Sequence, residues 1–454
     1  MAQGEIGVGK YFGTDGFRGR ANETLTASHA FEVGRFLGCF ARPQEGRARI
    51  AIGKDTRRSS YMLEYALAAG IAASGADAYL LHVTTTPSVS FVVRSEGFDG
   101  GVMISASHNS YEDNGLKLIG RAGEKADEKL ILQIEDYLDG KFTLPLATGD
   151  QIGKTIDYIA GRNRYLGYLL SLPRTSFRGM RVGLDCANGS AWAISKAVFD
   201  ALGAEVFLLN AQPDGLNVNL GCGSTHPEAL QEFVKEKKLD LGFAFDGDAD
   251  RCIAVDEKGA VVDGDGILYL SAKRMKERAE LEQNGIALTV MSNSGLIECL
   301  KREGIACAVT PVGDRFVYEE MLNRGYMLGG ENSGHIIFRK YASTGDGILT
   351  ALKVMETVIE CKCPLSCLTE GLKKYPQVMR NVRVKNPKIL ESAGVQLAVR
   401  EAKKRLGSGR IILRPSGTEP LIRILAEGEH VLLCEKAVDA VEAALIRGES
   451  CAES

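Results

Sequence analysis

The chain has 454 residues, 45% of them hydrophobic, and Lys+Arg 55 against Asp+Glu 58 leaves a formal charge of −3. That length is past the size at which single cores split, so two to four domains are expected. A balanced charge with no basic block or acidic tail excludes a general nucleic-acid or anionic-membrane binder, and no apolar run approaches the ~20 residues that a membrane span needs.

Met1 to Lys10 is polar and glycine-rich with no apolar stretch, so no secretory leader is expected. The 11 cysteines are scattered through apolar segments (Cys186, Cys252, Cys307) and read as small buried residues of a reducing cytoplasm. Cys361, Cys363 and Cys367 lie close in sequence, but no fourth ligand or histidine is near, so no zinc site is expected there. The 52 glycines are about 11% of the chain against about 7% in typical proteins, and they sit in turns rather than in tracts.

In chain order, residues 49–55 read as a strand, 63–73 as a helix, then Gly75 and a strand at 78–81. Residues 181–185 lead into a helix through Phe199, then Gly203 and a strand at 206–209. Residues 286–290 lead into a helix around 297–300, then Gly304 and a strand at 307–309. Strand, helix, glycine, strand is the βαβ grammar of an open, largely parallel sheet, and its recurrence predicts three domains of one architecture. After Tyr375 the rhythm changes: strand 378–384, helix 389–406, strands 410–413 and 421–425, and helix 434–445 predict a small α+β domain. Polar, turn-rich stretches at 139–149 and 256–259 serve as linkers, giving domains at 1–150, 151–257, 258–373 and 374–454.

Four loops carry chemistry. The apolar run 101–104 ends in Ser105-Ala106-Ser107-His108-Asn109, which places Ser107 at the carboxyl end of a buried strand, where ligands of α/β sheets bind. A serine turn that only caps the next helix is the plain alternative. Phe245-Asp246-Gly247-Asp248-Ala249-Asp250-Arg251 alternates three carboxylates with small residues after a strand, a hard-oxygen set that suits Mg²⁺. An EF-hand would need glycine at the sixth position and glutamate at the twelfth; Arg251 takes the sixth, so calcium is excluded. Gly329-Gly330-Glu331-Asn332-Ser333-Gly334-His335 packs a carboxylate, an amide, a hydroxyl and an imidazole among glycines, a set able to read sugar hydroxyls or an amine. Arg414-Pro415-Ser416-Gly417-Thr418-Glu419-Pro420, with Arg423 close by, offers hydroxyls, backbone N–H groups and guanidinium forks to a phosphate dianion. A nucleophile, a metal set, a polyol reader and a phosphate clamp together predict phosphoryl transfer on a phosphosugar.

With these motifs in hand, and with Tyr11-Phe12-Gly13-Thr14-Asp15-Gly16-Phe17-Arg18-Gly19 ahead of them, the chain resembles the α-D-phosphohexomutase family nearly end to end. The resemblance implies an α/β fold of four domains around a central cleft: three similar α/β domains with mixed, largely parallel sheets and a C-terminal α+β domain. It implies that Ser107 is carried as a phosphoserine and that Asp246, Asp248 and Asp250 hold one Mg²⁺ together with its phosphate. Arg18, His108, Lys117, Arg251 and His335 match residues around the transferring group; Lys117 and His335 both remain candidates for moving the hydroxyl proton. Glu331 and Ser333 match the sugar readers, and Arg414, Ser416, Gly417, Thr418 and Arg423 the distal phosphate site. Pro311-Val312-Gly313-Asp314-Arg315-Phe316-Val317 and Glu-Asn-Ser-Gly-His resemble the members acting on glucosamine phosphates, which implies interconversion of the 6- and 1-phosphates through glucosamine 1,6-bisphosphate. A mannose or glucose phosphate mutase, and a metal-dependent sugar phosphatase, are the rival readings. The resemblance also implies a cytoplasmic enzyme, a homodimer as the candidate assembly, and neither nucleic acid nor membrane as partner. Two departures stand out: Ser110 replaces a common proline, and Ala249 a common glycine.

Overall fold

The computed structural model describes residues 9–13, 15–41, 46–415 and 421–452. Two compact units make up the chain: Met1–Ser292 with Leu300–Gly371, and Asn293–Cys299 with Leu372–Ser454.

The first unit is built on three sheets. The seven-stranded one runs Phe12–Gly13, Gly16–Arg20, Asp113–Ile119, Gly100–Ile104, Arg49–Lys54, Asp77–Val83, Thr155–Asp157. The last four of these are mutually parallel, and the first three join antiparallel. Side chains alternate across this sheet as the pleat requires. Ile50, Ile52, Val102 and Ile104 enter one core with Val33, Phe36, Leu63 and Leu67 of helices Ala27–Phe40 and Arg58–Ala73. Ala51 and Met103 enter a second core with Val89, Val92 and Val93 of helix Thr86–Glu96. Coverage on both faces explains why 100–104 is apolar without a polar alternation.

The five-stranded sheet runs Val261–Val262, Cys252–Asp256, Leu241–Phe245, Arg181–Asp185, Glu205–Leu209, its last three strands parallel. The four-stranded sheet runs Ala306–Thr310, Gly285–Thr289, Leu328–Gly330, Ile336–Phe338, with only the last antiparallel. All three expected βα repeats are present, with helices Arg58–Ala73, Ala191–Ala201 and Ser294–Arg302. The glycine after each helix has a positive φ (Gly75 93°, Gly203 95°, Gly304 67°), the left-handed turn that releases the chain into the next strand. No helix among the described residues is long and apolar enough to cross a membrane.

The second unit is an antiparallel sheet, Gln377–Arg383, Leu421–Glu427, Arg410–Pro415, backed by helices Ala393–Leu406 and Val431–Ala452. Its core gathers Val382, Val395, Leu406, Ile422, Ile424, Val438, Val441 and Leu445. The expected helix 389–406 is divided: a 3₁₀ turn Pro387–Glu391 precedes Ser392, whose extended backbone and side-chain bond from Val395 N make it the N-cap of the α-helix proper. The unit also takes a piece from far upstream. Asn293 exchanges bonds with the backbone of Tyr375 (2.9 and 3.0 Å), and Ser294 donates to buried Glu427.

Candidate active site

Strand Gly100–Ile104 ends in a loop that turns Ser107 back into the unit, 1% exposed and with φ 54°. Its Oγ donates to Asp246 Oδ2 at 2.5 Å. Asp246 follows buried strand Leu241–Phe245, and with Asp248 and Asp250 it forms the one group of three, among the described residues, whose ligand atoms all lie within 4.8 Å of one another. Ala249, between the last two, has φ 55°, which explains why glycine suits this place and what the extra methyl costs, about 1 kcal/mol of backbone strain.

Three buried carboxylates this close cannot all keep an ordinary affinity for protons. Burial, then Asp250 and Asp248, push Asp246 up to about 7. Burial and Asp250 also raise Asp248, against the pull of Lys117. Asp250 is the exception: burial opposes its charge, yet Lys117 and His335 hold it well below the usual carboxylate range. Asp248 Oδ1 and Asp250 Oδ1 are buried with no hydrogen-bond partner. Hard oxygen donors, surplus negative charge and two orphaned acceptors together fit a divalent cation.

Cations surround the triad. Lys117, on the strand paired to Gly100–Ile104, places Nζ 2.6 Å from Asp248 and 2.9 Å from Asp250. Burial works against its charge, but Asp15, Asp248 and Asp250 hold its proton well above the ordinary lysine range. Arg18 reaches the cluster through Asp15, which also binds Lys125 and lies 3.6 Å from Lys117. Arg251 donates its backbone N–H to Asp246 (3.2 Å), and its Nε lies 3.9 Å from the same carboxylate. Arg18 Nε and Arg251 Nε are both buried and without a hydrogen-bond partner. His108 faces the same field: burial, then Arg251 and Arg18, push it down to about 3.

The glycine-rich loop between Leu328–Gly330 and Ile336–Phe338 completes the first-unit cluster. Glu331 accepts from Gly313 N (3.1 Å) and from Ser333 Oγ (3.4 Å). His335 lies 3.3 Å from Asp314 and 3.8 Å from Asp250. Burial lowers its proton affinity, but Asp314, Asp250 and Glu331 carry it up to about 9.

The structure thus brings Ser107, His108, Lys117, the three aspartates, Arg18, Arg251, Glu331, Ser333 and His335 into one charged network of the first unit. In the second unit, Arg414 and Arg423 are cross-strand partners. Ser416, Gly417 and Thr418 lie outside the described residues. Four contributors were not singled out from sequence. Thr86 donates its hydroxyl to Asp248; Lys125 binds both Asp15 and Asp314, the latter at 2.7 Å. Asp15 and Asp314 stood inside quoted motifs, and only that position hinted at them.

Four family models match in chain order: Phosphoglucomutase/phosphomannomutase, alpha/beta/alpha domain I at residues 9–143, domain II at 163–259, domain III at 263–375, and the C-terminal domain at 379–443. A phosphoglucosamine mutase of Lachnospira eligens is 58% identical over 439 residues, covering 96% of this chain and 98% of that protein. The crystal structure of a phosphoglucomutase/phosphomannomutase family protein from Burkholderia thailandensis is similar with a TM-score of 0.79 at 24% identity, over 96% of this chain and 97% of that one. An N-acetylphosphoglucosamine mutase of Aspergillus fumigatus, solved with GlcNAc-6P and magnesium, gives 0.69 at 17% identity over 97% of this chain and 96% of that one.

Proposed function

We propose, since this chain belongs to the phosphoglucomutase/phosphomannomutase family, that it interconverts glucosamine 6-phosphate and glucosamine 1-phosphate through a phosphoserine and glucosamine 1,6-bisphosphate. The observation that carries the reading is the Ser107 hydroxyl donating to Asp246 inside a buried carboxylate triad, with Lys117 against the other two carboxylates.

Asp246, Asp248, Asp250 and an oxygen of phosphorylated Ser107 would hold Mg²⁺, which supplies charge neutralisation at the transferring phosphoryl group. In the first half-reaction the sugar hydroxyl oxygen bonds to phosphorus as the bond from phosphorus to Ser107 Oγ breaks. The sugar loses its hydroxyl proton and Ser107 regains one, ending as the donor to Asp246. Lys117, 2.6 and 2.9 Å from Asp248 and Asp250, and His335, 3.8 Å from Asp250, are the two candidates for moving this proton. Arg18 and Arg251 would set positive charge against the negative charge that spreads over the phosphoryl oxygens, with His335, whose Nε2 accepts from Gly345 N (3.0 Å), beside them. The bisphosphate then turns over and returns its other phosphoryl group to Ser107. Glu331 and Ser333 would read the sugar's hydroxyls and amine, and Arg414, Ser416, Gly417, Thr418 and Arg423 the phosphate that is not reacting.

The test is a coupled assay on glucosamine, glucose and mannose 6-phosphates, with the intact mass of the protein taken first. The reading expects the highest kcat/KM on the amino sugar and no turnover by Ser107→Ala. Turnover retained by that variant overturns the phosphoserine, and a preference for mannose or glucose overturns the substrate.

A further inference from the structure

Arg57 is the largest fully buried side chain among the described residues, 0% exposed. It stands at the N-cap of helix Arg58–Ala73 but makes no side-chain bond to that helix. Its fork turns instead to the loop that carries Ser107. Nη2 donates to the carbonyl oxygens of Ser107 and Asn109, each at 2.9 Å, and Nη1 to that of Ser110. Nε donates to Asp55 at 2.7 Å, which neutralises the guanidinium locally. A second donor reaches the same two carbonyls from another sheet's loops: Asn219 Nδ2 lies 2.8 Å from Ser107 O and 3.0 Å from Asn109 O.

The other side of Ser107 is tied as well. Its backbone N–H donates to Ser105 Oγ (2.9 Å), and Ser105 Oγ donates to the same Asp55 oxygen that receives Arg57 Nε (2.7 Å). Both peptide planes that flank the Ser107 Cα are therefore held, one by Ser105 and one by Arg57 with Asn219. A serine at φ 54° is otherwise disfavoured and would relax. Gly247 admits the Ser107 carbonyl, since a Cβ there would stand 2.6 Å from it.

We infer that Asp55, Arg57 and Asn219 form a clamp that imposes the left-handed backbone of Ser107, fixing the direction of its Cα–Cβ bond and leaving side-chain rotation alone to place Oγ. Arg57 and Asn219 are positioning residues. They touch neither sugar nor phosphoryl group in this arrangement, and the inference rests on the reading of Ser107 as the group that carries phosphate. A lysine at position 57 keeps the charge beside Asp55 but cannot present a planar fork to three carbonyls.

The experiment compares wild type with Arg57→Lys and Asn219→Ala. It measures kcat and KM on glucosamine 6-phosphate, Mg²⁺ affinity by calorimetry, loading of Ser107 from glucose 1,6-bisphosphate by intact mass, and the urea midpoint. Misdirecting a reacting atom by about 1 Å costs about 10²-fold in rate. Arg57→Lys is therefore expected to lose about 10²-fold in kcat and in loading rate, and Asn219→Ala about 10-fold, with KM and Mg²⁺ affinity within about two-fold. A structural role alone would lower the urea midpoint and leave kcat per folded molecule unchanged; that result overturns the clamp, and so does a folded variant pair with kcat within about three-fold of wild type. Should Arg57→Lys fail to fold, Asn219→Ala decides by the same criterion. Wild type that never loads Ser107 removes the catalytic reading and the clamp with it, whereas a loaded, active wild type with unaffected variants removes the clamp alone.

Discussion

Lys117 places its ammonium 2.6 Å from Asp248 and 2.9 Å from Asp250, on the side of the triad that a divalent cation would also claim. Two positive charges competing for the same carboxylates repel, by several kcal/mol at contact for an effective dielectric of about 20. Lys117→Met is thus expected to raise Mg²⁺ affinity by about tenfold while lowering kcat by about 10²-fold. Asp248→Asn is expected to lower affinity by at least about tenfold, since it removes charge from the metal set. Calorimetric titration checks both; a fall in affinity in Lys117→Met would mean that the lysine orders the triad rather than competes for it. At this scale the sequence made the charged loops legible, because alternating carboxylates and glycine-rich turns are local patterns. It did not make Thr86, Lys125 or Asn219 legible: their partners, Asp248, Asp314 and the Ser107 carbonyl, lie far along the chain, and no spacing rule links them.

Helix Gly347–Cys361 begins at Asp346, whose side chain accepts from Leu349 N (2.9 Å) and from Tyr165 OH (2.8 Å). Burial nevertheless pushes its carboxyl up to about 6 from an ordinary 3.8. The folded chain therefore binds this proton more tightly than the unfolded chain, so the group's stabilising effect is complete below about pH 4 and is lost as pH rises through about 6. A rise from 3.8 to about 6 is worth about 3 kcal/mol. Asp346→Asn keeps the cap and removes this titration, so its urea stability should decline less than that of wild type between about pH 4 and pH 7, the remainder coming from groups such as Asp246. In the second unit, Ser392→Ala should cost about 1 kcal/mol and speed hydrogen exchange in residues 393–406. Periodicity revealed the long elements, but it merged the 3₁₀ turn Pro387–Glu391 with the following helix because both are apolar in phase. The strands Phe12–Gly13, Thr155–Asp157 and Val261–Val262 are two or three residues long, too short to carry a period, and owe their existence to the sheet edges they join.

Across the whole molecule, function is expected to depend on a cation site that only the folded first unit can assemble, since the residues proposed to hold the ion are Ser107 and the triad at 246–250. Chelation should abolish turnover, Mg²⁺ should restore it, and at about a hundredfold excess over Kd the ion should stabilise the fold by about 2.7 kcal/mol. A thermal melt with and without EDTA reads this directly. The α/β class and the α+β change after Tyr375 were visible in the rhythm of strands and glycines. The division of the chain into two compact units, each assembled from two separate stretches, was not.

That discontinuity bears on the order of synthesis. Asn293 and Ser294 leave the ribosome well before Tyr375 and Glu427, the groups that satisfy them. At about 5–20 residues per second, the wait for Glu427 lasts on the order of ten seconds. During that interval the Ser294 hydroxyl precedes the carboxylate that receives it, and a nascent chain arrested near residue 371 lacks Glu427 altogether. Maturation of the C-terminal unit is thereby a late event, completed by docking onto a segment translated long before.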